Sequence, residues 1–197
     1  MAKLNFKYST MNAGKTLDLL RTAYNYEENN YKVIVLKPKV DTKGEDSIVS
    51  RIGLKRKVDY LIQKDDSITK LIIDDLYNCK CILVDEAQFL SKKQVDELFV
   101  ISKEFDIDVI CYGLRLNFKM EAFEGSMRLL EIAEELEELR TMCKCGNVAR
   151  YVGRKINDEF TLDGEEIIID GTDNVSYIPM CGDCYLEKVK KYVKRRR

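Results

Sequence analysis

Histidine does not occur once in the 197 residues of this chain. Its absence excludes Ser-His-Asp and Cys-His catalysis, the usual neutral-pH general base, and every zinc site that mixes cysteine with imidazole. Acid–base work must fall to carboxylates, lysine, tyrosine or cysteine. An excess of one charge is missing too: 33 lysines and arginines stand against 34 aspartates and glutamates, a formal net charge of −1. No global field draws in a polyanion, so a small ligand is expected rather than a nucleic acid. Long apolar runs are also lacking. Met1 to Tyr8 reads as a short strand rather than the core of a signal peptide, and no stretch approaches membrane-spanning length. A cytoplasmic location with no membrane partner is therefore expected.

What is present suffices for a core. With 45% hydrophobic residues, the chain suits one large domain, or a medium domain with a small appendix, folded without disulfide staples. Leu4 to Tyr8 alternates as a strand, and a loop leads to a helix starting near Gly14 with Leu17, Leu19, Leu20 and Ala23 inward. Lys32 to Lys37 and Cys79 to Val84 are runs of the kind buried on both faces of a parallel sheet, with Pro38 stopping the first. Asp41 to Lys57 reads as a mobile loop with a short strand around Ser47 to Arg51, suited to closing on a ligand. Ser91 caps a helix through Phe105 with Gln94 as its capping-box partner. Val109 to Tyr112 is a third buried run. Gly125 or Ser126 opens a helix through Leu139, with Leu129, Ile132, Ala133, Leu136 and Leu139 as its stripe and E-E-L-E-E as a solvated face. Alternating strands and helices imply an α/β fold with a mostly parallel sheet, whose ligands sit at the carboxyl ends of strands. Composition changes at Met142, which divides the chain into 1–141, a cysteine-rich 142–190 and a basic tail, 191–197. The tail's basic residues read as a helix end or solvated terminus.

Three constellations carry chemistry. Ser9, Thr10, Met11, Asn12, Ala13, Gly14, Lys15 and Thr16 follow the phosphate-loop pattern G-x-x-x-x-G-K-[ST], with Ser9 where the leading glycine is expected. Gly14 gives close backbone approach, Lys15 a point charge for the β/γ-phosphates, and Thr16 a hydroxyl for Mg²⁺. Farther on, an apolar strand ends in Asp85-Glu86-Ala87-Gln88. Side chains alternate along a strand, so Asp85 can face the metal while Glu86 faces a substrate as catalytic base. Finally, Cys143-x-Cys145 and Cys181-x-x-Cys184, with Gly146 and Gly182 in their turns, suit a tetrahedral structural Zn²⁺ site. Cys79, Cys81 and Cys111 lie in strands and pack as small apolar groups.

In the order and spacing of Y-S-T-M-N-A-G-K-T from Tyr8, V-D-E-A-Q-F from Val84, G-L-R-L-N-F from Gly113 and Y-I-P-M-C-G-D-C-Y from Tyr177, the chain closely resembles the type II thymidine kinases. The match spans almost all of residues 4 to 186. The resemblance implies a RecA-like P-loop NTPase domain followed by a small zinc-ribbon-like domain with a lasso loop. It implies ATP-dependent phosphorylation of the 5′-hydroxyl of thymidine or deoxyuridine, giving dTMP in nucleotide salvage for DNA synthesis, by a homotetramer. Glu86 takes the catalytic-base position and Asp85 to Gln88 the magnesium and nucleotide segment. Met11, Leu114, Phe118 and Phe123 align with the apolar wall around the base. Tyr177 and the backbone of Ile167 to Ile178 align with the segment that grips thymine. The family often has D-x-R after its second strand. Here Asp41-Thr42-Lys43 carries lysine, so Asp41 is a magnesium contact and either Lys43 or Arg51 neutralises the transferring phosphate. The rival reading, a nucleic-acid-dependent P-loop ATPase with a zinc ribbon, lacks a second motor domain and a basic groove.

Overall fold

The computed structural model describes residues 1–39, 46–164 and 174–196. Asp41, Lys43 and the 165–173 part of the lasso segment lie outside the described residues. The elements run β1 (Leu4–Ser9), α1 (Lys15–Glu28), β2 (Lys32–Pro38), β3 (Ser47–Val49), β4 (Lys55–Lys57), β5 (Tyr60–Ile62), α2 (Ile68–Ile72), β6 (Cys79–Val84), α3 (Lys92–Glu104), β7 (Asp108–Leu114), α4 (Glu124–Ile132) and β8 (Glu135–Glu138). They continue with β9 (Thr141–Met142), β10 (Val148–Ala149), β11 (Tyr151–Ile156), β12 (Glu159–Thr161), β13 (Val175–Met180) and α5 (Gly182–Arg195).

Six strands make one all-parallel sheet in the order β5-β2-β6-β7-β1-β8. Both faces are covered, which is why the strands read as continuous apolar runs. Ile34, Leu36, Ile82 and Val84 pack with residues of α2, α3 and α4. Their strand neighbours Val33, Val35, Cys81 and Leu83 pack with Leu19, Leu20 and Ala23 of α1. Each fully buried aliphatic side chain contributes about 1.5–3 kcal/mol. The chain moves from β1 across to β2, then returns through β6 and β7 and passes β1 to place β8 on its far side. The strand order therefore reverses at β1, and the loops leaving β1, β6 and β7 converge on the crevice such a reversal creates.

Three expectations change. Pro38 does not stop β2 but belongs to it. Lys39 donates to Ile62 O on the β5 side, so by alternation the nitrogen of Pro38 faces the β6 side, where pairing has already ended at Leu36–Val84. The helix expected through Leu139 ends at Ile132, and Glu135–Glu138 becomes an edge strand parallel to β1. Lys3 pairs with Glu135 and Lys7 with Glu137, and the Leu4 N–H donates to Glu134, so the acidic run is solvated but extended. A charged edge resists pairing with another chain. In the 41–57 stretch the expected short strand is present as β3, and the change is that it pairs with β4 in an antiparallel hairpin anchored by buried Ile48.

The remaining strands form two small antiparallel sheets, β10-β9 and β12-β11-β13. They share a core of Cys143, Ala149, Met180, Cys181 and Tyr185 with α5. The basic residues from Lys188 continue that helix to Arg195.

Candidate active site

Ser9 is the last residue of β1, paired with Leu114 of β7. Its backbone is that of a strand, so no glycine is needed there. Positive φ falls instead at Asn12 (65°) and Gly14 (80°), the latter the N-cap of α1. The Ser9 hydroxyl donates to Thr10 O at 2.6 Å and accepts from Lys15 Nζ at 2.9 Å, while Lys15 also donates to Thr10 O at 3.2 Å. The departure from the motif thus supplies a hydroxyl that steadies the lysine. Thr10 is buried, and its Oγ1 donates to Tyr151 O at 3.1 Å, tying the loop to β11.

At the tip of β6, the Asp85 N–H donates to Leu36 O at 2.9 Å, carrying the ladder one residue past the strand. Asp85 is only 5% exposed. Burial, and then the charge of Glu86, push its carboxyl up to about 7, against Lys37 and Lys15. Burial also lowers the Lys15 ammonium, while Glu86 and Asp85 raise it. A buried carboxylate beside another acid gains from a dication, and a hydroxyl at Thr16 with a carboxylate at Asp85 is the all-oxygen donor set Mg²⁺ prefers.

Glu86 turns the chain out of the sheet in a left-handed conformation, φ 50°. Its Oε2 accepts from Gln88 Nε2 at 2.5 Å, and Gln88 Oε1 accepts from Leu114 N at 3.0 Å. Gln88, 2% exposed, is therefore a strut between β7 and Glu86. The sequence motif grouped it with the nucleotide and did not reveal that role. Gly113 makes the strut possible, since a Cβ there would lie 3.0 Å from Gln88 Oε1 and 3.1 Å from its N. Gly125 seats α4 against the same turn. A Cβ on it would stand 2.5 Å from Ala87 O and 2.7 Å from Leu90 O.

One cleft of about 340 Å³ is lined by the phosphate loop from Met11 to Thr16, by Glu86, Leu114 and, from the hairpin turn, Arg51. Among the residues expected around a base, Met11 and Leu114 line that cleft. Phe118 and Phe123 are buried, Phe123 edge-on to Phe89 with ring centroids 5.6 Å apart. Tyr177 lies on β13 in register with Arg154 of β11.

The four cysteines of the C-terminal region converge, with their sulfurs within 4.8 Å of one another and Cys145 Sγ 3.5 Å from Cys181 Sγ. Four sulfurs bonded at ~2.3 Å to a tetrahedral zinc would stand ~3.8 Å apart, so the set fits that ion. Gly146, φ 89°, closes the shorter knuckle, its N–H donating to Cys143 O at 2.9 Å. Burial opposes ionisation of Cys143, but backbone N–H groups of Cys145 and Cys181 outweigh it and bring the thiol down to about 6. Hydrogen bonds to the other three hold Cys184 up at about 12. Burial raises Cys79, Cys81 and Cys111, as inert core thiols require.

Residues 2–185 match the family model described as thymidine kinase. The thymidine kinase of Pasteurella multocida is 44% identical over 96% of this chain and 99% of its own length. That of Haemophilus influenzae is 44% identical over 95% and 98%, and that of Streptococcus gordonii 41% identical over 95% and 97%. Among solved structures, Bacteroides Pif1 bound to ssDNA shares 13% identity with a TM-score of 0.39, over 70% of this chain and 38% of that one, too loose a likeness to bear on fold or function.

Proposed function

As the chain belongs to the thymidine kinase family, we propose that the cleft at the tips of β1, β6 and β7 is where it transfers the γ-phosphate of ATP to the 5′-hydroxyl of thymidine, giving dTMP. The observation that carries this assignment is that Lys15, Thr16, Arg51 and Glu86, from three separate parts of the chain, face one cleft together with apolar Met11 and Leu114.

Phosphoryl transfer asks a protein for position and charge rather than covalent chemistry. The backbone from Ser9 to Thr16 surrounds the ATP phosphates at the start of α1, and the Lys15 ammonium offsets their β/γ charge. Thr16 and Asp85 hold Mg²⁺, with Asp41 as a further contact; when bound, the ion neutralises charge on the transferring group. Arg51 or Lys43 adds a second positive side chain. Glu86, steadied by Gln88, takes the proton of the attacking hydroxyl. Met11, Leu114, Phe118, Phe123 and Tyr177 form the acceptor wall, which admits thymidine and deoxyuridine. Cys143, Cys145, Cys181 and Cys184 hold a structural Zn²⁺ that takes no part in the chemistry. The RecA-like nucleotide domain of 1–141, the cysteine domain of 142–190 with its lasso, the homotetramer and the cytoplasmic location belong to the same reading. Among the described residues, no helix is long and apolar enough to cross a membrane.

Glu86→Gln is the test. Turnover should fall about 10²- to 10⁴-fold, the usual contribution of a positioned base, while thymidine and ATP still bind. Turnover within a few-fold of wild type, in a coupled ATP-consumption assay across a nucleoside panel, would remove Glu86 from the role.

A further inference from the structure

Phe118 is held from two directions by the cysteine-bearing region. The central carbon of the Arg154 guanidinium lies 3.7 Å from the centroid of its ring, and its carbonyl accepts a 2.6 Å hydrogen bond from the Tyr185 hydroxyl. Arg154 is 0% exposed, Phe118 1% and Tyr185 5%. Withdrawing a guanidinium from water this completely is costly, and an apolar side chain would fill the volume more cheaply. Among the things arginine adds is a planar cation that stacks on an aromatic face, and its charge is also felt by Asp163.

The surroundings hold that plane in place. Arg154 sits in the middle of β11, opposite Thr161 of β12 and Tyr177 of β13. Gly164, φ +97°, also comes close: a Cβ there would stand 2.7 Å from an Arg154 terminal nitrogen. The guanidinium is thus packed against both the Phe118 ring and Gly164. Tyr185 directly follows Cys184, so its reach to Phe118 is set by the four-cysteine cluster. Arg154 does not line the cleft of Lys15 and Glu86.

We infer that Arg154 and Tyr185 are positioning residues for the acceptor nucleoside, fixing the ring and the backbone of Phe118 so that the acceptor wall is built before thymidine arrives. The inference rests on the reading of Phe118 as part of that wall. Because neither residue meets the phosphate loop, their loss registers in thymidine affinity and not in ATP affinity.

The test measures equilibrium binding of thymidine and of ATP to the whole protein, with its melting temperature, for Arg154→Lys, Phe118→Leu, the pair combined, and Tyr185→Phe. Arg154→Lys should weaken thymidine about tenfold, the scale of a desolvated cation–π contact, and leave ATP within twofold. In the Phe118→Leu background the same change should add less than twofold, because both act through one contact. Tyr185→Phe, which deletes one hydroxyl and keeps the packing, should weaken thymidine about fivefold. It carries the test where a buried-arginine variant does not fold. If Phe118→Leu weakens thymidine while Arg154→Lys and Tyr185→Phe do not, or if they weaken both ligands equally or add fully to Phe118→Leu, the positioning role is overturned. If Phe118→Leu itself leaves thymidine binding intact, the acceptor-wall reading fails and takes this inference with it.

Discussion

The phosphate end of the cleft and its acceptor end are built on opposite plans. Ser9 to Thr16 is a single turn of chain at the tip of a strand with parallel neighbours on both sides, buried β7 and the exposed edge strand β8. The proposed acceptor end is assembled from pieces far apart in sequence: Phe118 after β7, Arg154 on β11, Tyr177 on β13 and Tyr185 on α5. The first needs only local geometry and the main core. The second draws on a small cluster of buried residues around four cysteines. On the proposed assignment, the acceptor wall takes its shape from this cysteine-bearing region, and a structural Zn²⁺ there would staple it.

Removing one thiolate should break this contrast most severely. Cys181 sits at the N-terminus of α5, and Cys181→Ser is expected to strip zinc from the purified protein and weaken thymidine binding at least about 100-fold, beyond what loss of an outer partner of a metal ligand costs. ATP affinity should change by only a few-fold. Metal analysis and two binding titrations decide it, and equal loss of both ligands would mean that the two ends are one cooperative unit.

A smaller effect is expected from the turn that carries Glu86. Gly125→Ala places a methyl group 2.5 Å from Ala87 O, 2.7 Å from Leu90 O and 3.0 Å from Gln88 O, all backbone atoms that yield little. Overpacking of this kind costs about 1–3 kcal/mol, which lowers the melting temperature of a chain this long by roughly 2–12 °C. The turn that moves carries Glu86, so kcat should fall with thymidine affinity unchanged. A fall in thymidine affinity with kcat unchanged would show that this turn shapes the acceptor wall rather than the base.

The same contrast explains what could be read in advance. The phosphate loop, the acid pair after β6 and the capping box of α3 are each contiguous, and local geometry decides them. Ser91 Oγ does accept from Gln94 N, and Gln94 Oε1 from Ser91 N. Even there a set of tertiary bonds left no sequence signal: Gln94 Nε2 also donates to Gln63 O at 2.9 Å, Asp66 O at 3.1 Å and Lys64 O at 3.3 Å. The cysteine spacing announced its cluster because two short-spaced cysteine pairs with glycines in their turns are the pattern of paired metal knuckles. Elements decided by partners were misread. The acidic stretch before Leu139 looked helical because Leu136 and Leu139 extend a 3.6-residue period, yet β1 offered it a free edge and Lys3 and Lys7 neutralised its charges. Arg154 left no signal at all, since an isolated arginine in a polar stretch is ordinarily a surface residue.

The central claim is that Lys15 and Glu86 serve opposite ends of one phosphoryl transfer across one cleft. Competition kinetics with adenosine and thymidine joined through a polyphosphate bridge test it most directly. The bridged molecule should compete with ATP and with thymidine alike, bind more tightly than either alone, and exclude both at a stoichiometry of one per chain. Competition with only one substrate, or simultaneous binding of the bridged molecule and free thymidine, would contradict it.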